Sequence, residues 1–102
     1  MKYCIDIDGT ICTNTCGKYE EAEPIPEAIA KVNALYDEGH SIILFTARGT
    51  TTQIDWRATT EKQLNQWKVK YHKLIFGKPE ADIFIDDRAI SAVDFMAGKK
   101  TL

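Results

Sequence analysis

The sequence has few of the features that mark secreted or nucleic-acid-binding proteins. Its 102 residues include three cysteines, three prolines and six glycines, and 13 Lys and Arg stand against 15 Asp and Glu. Three cysteines are a small and odd set, which disfavours a disulfide-stapled secreted fold and predicts reduced thiols. A net charge of −2 disfavours binding to nucleic-acid backbones, which normally requires a basic excess.

Long apolar runs are also missing. Asp6 and Asp8 interrupt the first apolar stretch before the apolar region of a signal peptide can form. No run approaches the ~20 apolar residues of a membrane helix. We therefore predict a cytoplasmic protein without a membrane partner. At this length we expect a single domain over residues 1–102, because a second hydrophobic core needs a longer chain.

Short apolar segments alternate with amphipathic ones along the chain. This alternation predicts an α/β fold, a three-layer Rossmann-like sandwich with a mostly parallel sheet and helices on both faces. The long irregular segment at residues 9–25 is predicted to form a flap beside the site. Strands are predicted at residues 3–7, 41–46, 71–76 and 81–86, and helices from 26 to Gly39, from about 52 to 68 and from 88 to 98.

Polar side chains occupy the points where the predicted strands end. In an open α/β sheet, ligands bind outside these carboxyl ends, so we expect four carboxylates, a hydroxyl and a lysine to converge at one edge. Unit charges about 4 Å apart repel by roughly 4 kcal/mol at an effective dielectric near 20, so the carboxylates need a cation. Oxygen ligands favour Mg²⁺. The residues are Asp6, Asp8, Thr46, Lys78, Asp86 and Asp87.

Four motifs in order resemble those of the haloacid dehalogenase superfamily of phosphohydrolases. IDIDGT at 5–10 resembles the DxDGT signature, and LFTAR at 44–48 resembles the second motif. FGKP at 76–79 and IFIDD at 83–87 resemble the third and fourth. The resemblance runs from residue 3 to about 95. The intervals between motifs are too short for a cap domain, so the chain is similar to the small capless members.

The resemblance implies a role for each catalytic residue. Asp6 is the nucleophile that forms an aspartyl-phosphate, and Asp8 is the general acid and later the base for water. Thr46 hydrogen-bonds the transferring phosphoryl group, and Lys78 offsets negative charge on Asp6 and on that group.

The same resemblance implies the binding residues. Gly9 and Thr10 offer backbone amides to the phosphate, and Ala47 and Arg48 lie on the substrate, although a surface ion pair is an alternative for Arg48. The Mg²⁺ ligands are the Asp6 carboxylate, the Asp8 backbone carbonyl and Asp86. Asp87 binds the metal directly, acts through water or orients Lys78; a helix cap is its structural alternative.

The expected activity is that of a Mg²⁺-dependent phosphomonoesterase. Similarity to small phosphatases of capsule and lipopolysaccharide pathways favours a sugar phosphate or polysaccharide precursor as substrate. A nucleotide or nucleic-acid-end phosphatase is the alternative enzyme, and a receiver-like phosphoacceptor module is the alternative of another class. Without a cap, the site is predicted to be open to solvent unless a second copy of the chain covers it.

Overall fold

Three parallel strands form the sheet in the computed structural model, which describes residues 1–98; residues 99–102 of the predicted domain lie outside the described part. The strands are β1 (Lys2–Asp6), β2 (Ser41–Thr46) and β3 (Lys73–Phe76), in the order β1-β2-β3. Asp6 pairs with Phe45, and Thr46 pairs with Phe76. The carboxyl ends of all three strands therefore lie at the same edge, and the α/β prediction is confirmed.

Three helices and one 3-10 turn complete the described chain. The helices are α1 (Pro26–Asp37), α2 (Arg57–Gln66) and α3 (Ala92–Met96), and the turn covers Tyr19–Glu21. Pro26 starts α1 because its fixed φ suits the first helical position and its missing N–H is not needed there. The Ser91 hydroxyl accepts a hydrogen bond from the Asp94 backbone N–H and so caps α3.

The core lies on one face of the sheet. Ile42 and Leu44 of β2 are fully buried and pack in one cluster with Ile7, Val32 and Leu64. The alternate residues of β2 are only half-buried. Burial in β2 is thus complete on one face only, since side chains of a strand alternate between the two faces.

Helix α2 begins later than predicted because residues 48–52 form turns and residues 53–56 are irregular. Gly49 has a φ of +81°, and a Cβ atom at this position would clash with the backbone carbonyl of Ile54. The Gln53 backbone N–H donates to the carbonyl of Gly49 at 2.9 Å. This backbone conformation, which glycine adopts without strain, delays the helix to Arg57.

The prediction of a fourth strand at residues 81–86 is wrong for this structure. The segment is irregular, and Ile83, Phe84 and Ile85 are 76%, 53% and 94% exposed. A strand exists only where its backbone groups pair with a neighbour, and within residues 1–98 this segment has no such neighbour. In the same part of the chain, no helix is long and apolar enough to cross a membrane.

Candidate active site

Asp6 and Lys78 form an ion pair at the carboxyl edge of the sheet. Asp6 is the last residue of β1, and one oxygen of its carboxylate accepts the backbone N–H of Ile7 at 2.8 Å. The other oxygen lies 3.3 Å from Lys78 Nζ. Lys78 is held there because its backbone N–H donates to the carbonyl of Thr46 at 3.1 Å. The strand ends thus bring together two of the predicted catalytic groups.

Asp8 lies two residues beyond β1 and forms a bidentate ion pair with Arg48. Arg48 Nε donates to Asp8 Oδ2 and Nη2 donates to Oδ1, both at 2.9 Å. The Arg48 side chain is fully buried, and that of Asp8 is 17% exposed. Two parallel N–H···O bonds fix both the position and the plane of the carboxylate. Sequence analysis placed Arg48 on the substrate or in a surface ion pair, whereas the structure buries its guanidinium against Asp8.

Helix α2 and the flap hold the Arg48 guanidinium from the other side. Arg48 Nη1 donates to Thr60 Oγ1 at 3.0 Å and to Gln63 Oε1 at 2.6 Å. Gln63 Nε2 in turn donates to the backbone carbonyl of Tyr19 at 2.6 Å, and Arg48 Cζ lies 4.8 Å from the centre of the Tyr19 ring. Burial alone lowers the pKa of Arg48, but the hydrogen bonds to Asp8 outweigh it, so the pKa is raised.

Cys12 is a buried thiol in contact with this ion pair. Its Sγ lies 3.5 Å from Asp8 Oδ1 and 3.8 Å from Arg48 Nη2. Burial, together with the neighbouring charge of Asp8, raises the pKa of Cys12 to about 12. Cys12 is therefore a neutral packing residue near pH 7, and all three cysteines are free, as the sequence predicts.

The backbone around Gly9 and Thr10 differs from the prediction. The Gly9 N–H donates to the carbonyl of Cys12 at 2.8 Å, and the Thr10 N–H donates to the carbonyl of Ile7 at 3.1 Å. These amides are used by the turn that follows β1, so neither is free for a phosphate. Thr46 is fully buried, and its Oγ1 accepts the Arg48 backbone N–H at 3.0 Å. The hydroxyl keeps its own proton, but Thr46 is not among the residues that line the larger cavity.

Two cavities open at this edge. The larger, of about 770 Å³, is lined by Asp6, Asp8, Ala47 and Lys78, and flap residues of the 9–25 segment form part of its wall. The flap residues are Asn14, Cys16, Gly17 and Tyr19. The smaller cavity, of about 370 Å³, is lined by Arg48, the turn after β2, Trp56, Arg57 and Phe76. The Arg57 guanidinium lies 4.6 Å from the centre of the Phe76 ring.

The acidic pair predicted to complete the site is not grouped with it. The Asp87 side chain is 86% exposed and lies 3.9 Å from Arg88. The Arg88 backbone N–H donates to Asp86 at 2.9 Å and lowers the pKa of that carboxyl. Within residues 1–98, no three His, Cys, Asp or Glu side chains are placed to hold a metal ion. The expected convergence of four carboxylates is therefore not found within these residues. Of the predicted metal ligands, Asp6 and Asp8 line the larger cavity, and oxygen donors of this kind suit Mg²⁺ together with water.

The polar residues of α2 that contact Arg48 are not among the site residues that the sequence predicts. Gln63 and Thr60 are one helical turn apart and both are buried. Polar side chains on the buried face of a helix need hydrogen-bond partners inside the protein. This pattern signals a buried polar partner, although the sequence does not show that the partner is Arg48.

Solved structures share this fold. A target protein from Vibrio cholerae is 25% identical to the chain with a TM-score of 0.86, over 94% of this chain and 87% of that one. A chain of a structure described as the Pnkp1/Rnl/Hen1 complex is 20% identical with a TM-score of 0.60; the match covers 93% of this chain and 33% of the other. No protein-family model matches, and no curated protein matches significantly. The comparisons thus establish a fold that this chain shares with the Vibrio cholerae protein.

Proposed function

We propose that this chain is a capless phosphomonoesterase of the haloacid dehalogenase type, built on a three-layer Rossmann-like core. One observation carries the proposal: the Asp6 carboxylate lies at the end of β1, on an open cavity, with Lys78 Nζ 3.3 Å from one of its oxygens. The carboxylate is 36% exposed and so can reach a ligand. A cation beside the carboxylate offsets the negative charge of an incoming phosphate.

In the first step, an Asp6 oxygen attacks phosphorus. An Asp6 O–P bond forms, the bond from phosphorus to the ester oxygen breaks, and the leaving oxygen takes a proton from Asp8. In the second step, water attacks phosphorus and gives a proton to Asp8, and the Asp6 O–P bond breaks to release phosphate. Lys78 remains beside Asp6 and offsets charge in both steps.

Arg48 sets the position of Asp8 in this scheme. Both Asp8 oxygens accept from Arg48, which fixes the carboxylate before substrate arrives. To supply the proton for the leaving oxygen, Asp8 must release one of these bonds and take up a proton from solvent, which the second step returns. The bonds from Arg48 to Thr60 and Gln63 keep the guanidinium in place while that happens.

The remaining predicted groups have narrower roles in the proposal. The Thr46 hydroxyl donates to a phosphoryl oxygen, and Ala47 forms part of the cavity wall beside it. Mg²⁺ is the proposed cofactor because oxygen ligands beside a phosphate suit it, and it would neutralise charge on the phosphoryl oxygens. The described residues of one chain do not group Asp86 with Asp6 and Asp8, so the proposal requires a further element at this edge.

A sugar phosphate or related polysaccharide precursor is the proposed substrate, since the open cavity of about 770 Å³ admits such a compound. A nucleotide or nucleic-acid end is the second candidate. The smaller cavity favours it, because Trp56, Phe76 and Arg57 line its wall, and aromatic and guanidinium groups stack on bases.

The test is phosphate release from sugar phosphates, nucleotides and phosphorylated oligonucleotide ends, with Mg²⁺ and with excess chelator. We expect release that the chelator suppresses, and the preferred compound decides between the two substrate classes. If no compound releases phosphate and a small phosphodonor leaves a stable aspartyl-phosphate, the enzyme proposal is wrong and a phosphoacceptor module replaces it.

A further inference from the structure

The segment at residues 82–86 carries apolar side chains that the described chain leaves largely uncovered. Ile83 and Ile85 are 76% and 94% exposed. Phe84 is 53% exposed and lies at the wall of the larger cavity, with its ring centre 4.5 Å from Lys78 Nζ. Among residues 1–98, five of the eight large hydrophobic side chains that are exposed lie between residues 83 and 93. Such an exposed apolar stretch marks a site of association.

The edge of β1 is an unused acceptor for a strand. In the sheet of the described residues, β1 pairs with β2 alone and lies at the edge. An edge strand presents unpaired N–H and C=O groups and is a template for another strand. The same chain therefore carries both a free edge and an uncovered strand-like segment.

The segment and the edge match in length, in their apolar middle and in the opposite charges of their first residues. Both are five residues long, 82–86 and 2–6. A parallel register sets Asp82 beside Lys2, the three apolar residues 83–85 beside residues 3–5, and Asp86 beside Asp6. The first pair joins opposite charges, which favours the register. The last pair sets two carboxylates side by side at the catalytic edge.

The chain's own segment cannot make this parallel pairing. Lys78 is held at the end of β2 by hydrogen bonds from its N–H to Thr46 and from the Thr50 hydroxyl to its carbonyl. In a strand paired with the free edge of β1, Asp82 would lie level with Lys2 and two strand spacings away from β2. The distance from Lys78 to that position is roughly 19 Å, given strand spacings of about 4.8 Å and a rise of about 3.3 Å per residue. The four residues from Lys78 to Asp82 span at most about 14 Å. Directly joined parallel strands normally need a dozen or more residues between them.

We propose that residues 82–86 pair in parallel with the free edge of β1 in a second copy of the chain, by mutual exchange, so that each active site receives Asp86 from its partner. The segment of each copy pairs with the β1 edge of the other copy, so both copies use the same surface, as two-fold symmetric dimers require. The role of Asp86 rests on the proposed phosphatase function, whereas the exchange of strands does not. The arrangement accounts for the absence of a group of three metal-ligating side chains within residues 1–98 of one chain.

Cation binding and dimerisation are coupled in this arrangement. Asp86 of the partner subunit beside Asp6 costs electrostatic energy unless a cation lies between them. A cation that binds the paired carboxylates more tightly than the separate ones therefore favours the dimer, and by linkage the dimer binds the cation more tightly.

The first test is sedimentation velocity of the full chain over a range of concentrations, with Mg²⁺ and with chelator. We expect a dimer whose dissociation constant falls about tenfold in Mg²⁺, within the usual range of such coupling. Ile85→Lys should make the chain monomeric, whereas Ile75→Lys, an exposed isoleucine of β3, should not. Asp86→Asn should keep the dimer and remove the Mg²⁺ effect. A monomer under all conditions, or a Mg²⁺ effect unchanged in Asp86→Asn, would overturn the proposal.

The second test is complementation of activity. Asp6→Asn and Asp86→Asn copies are each expected to be inactive, but a mixed dimer has one intact site. With equal amounts and random pairing, about half of the dimers are mixed and each of these has one intact site of two. The mixture should therefore show about a quarter of wild-type activity. Mixing Asp6→Asn with Asp8→Asn is the matched control and should restore none, because both residues come from the same chain. No restoration in the first mixture would overturn the shared site. If wild type releases no phosphate, the phosphatase proposal fails and sedimentation alone decides the exchange.

Discussion

Two aspartate-containing segments of this chain have the same chemistry but opposite surroundings. Asp6 ends a paired strand of the sheet and Asp8 follows it, and the two are held by Lys78 and Arg48. Asp86 and Asp87 follow an apolar run of the same kind, yet that run is exposed and their contacts are local. A carboxylate acquires a fixed position only when the strand that carries it has a pairing partner.

The difference lies in the connections. A long segment and a helix separate β1 from β2, so the chain has the length to return and pair in parallel. The segment after β3 lacks that length. Each prediction that follows perturbs one of the two segments and compares the result with a matched position elsewhere.

Asp6→Asn carries the largest expected effect. The amide oxygen is a far weaker nucleophile than the carboxylate, so phosphate release should fall by about a thousandfold or more, while circular dichroism and thermal unfolding stay close to wild type. Asp37→Asn, which alters an exposed ion pair with Lys70, is the control and should keep full activity. Substantial Mg²⁺-dependent release by Asp6→Asn would rule out Asp6 as the nucleophile.

Arg48→Met tests the buried side of the comparison. It removes one partner of a buried ion pair and leaves the Asp8 charge uncompensated, which should lower the free energy of unfolding by about 3–5 kcal/mol. Arg57→Met breaks an exposed pair with Glu61 and should cost about 0–1 kcal/mol. Urea unfolding measures the free energy of unfolding of both variants. Equal decreases in this free energy would contradict the conclusion that Arg48 forms a buried, stabilising ion pair.

Two isoleucines compare the covered and uncovered strand sequences. Ile42 is fully buried in β2 and Ile85 is 94% exposed. Ile42→Ala should cost about 2–5 kcal/mol, whereas Ile85→Ala should change the stability of the dilute monomer by less than about 0.5 kcal/mol. Chemical denaturation at low protein concentration measures both. A loss of stability in Ile85→Ala similar to that in Ile42→Ala would show that a single chain already buries this segment.

Cys12 gives the smallest and most local effect. Its pKa is raised to about 12 in the folded protein, from an ordinary value near 9.0. The folded state thus keeps a proton that the unfolded state loses between pH 9 and 12, so stability falls as the pH rises through this window. Cys12→Ala should remove that part of the alkaline slope. At pH 8, a thiol reagent should label Cys4 and Cys16 but reach Cys12 only after unfolding; labelling of all three in the folded protein would contradict its burial.

The features that the sequence predicts correctly are those that depend on local residue patterns and on the order of the motifs. Strand β2 has the predicted bounds, and α1 starts at Pro26 as expected, because apolar periodicity and a helix-start signal agree. Asp6 and Lys78 meet because both follow strands of one parallel sheet. Interactions at long range are different: the ion pair of Arg48 with Asp8 joins residues 40 positions apart, and no local pattern specifies it.

The same limit explains the fourth strand. The continuous apolar run at 83–85 favours a strand wherever a partner edge is present, but the sequence pattern does not show whether the connection can reach that edge. The four residues from Lys78 to Asp82 are too short to reach the amino end of β1, so this strand does not form within one chain. Reasoning about chain length therefore has to accompany reasoning about pattern.

The most direct measurement traps the phosphoryl group on the enzyme. The protein is incubated with a substrate that releases phosphate and is then reduced with borohydride, which converts an aspartyl-phosphate to homoserine for mass spectrometry of the peptides. The account predicts homoserine at position 6 in wild type and none in Asp6→Asn. Phosphate release accompanied by homoserine at another aspartate, or by none at all, would contradict the claim that Asp6 carries the phosphoryl group.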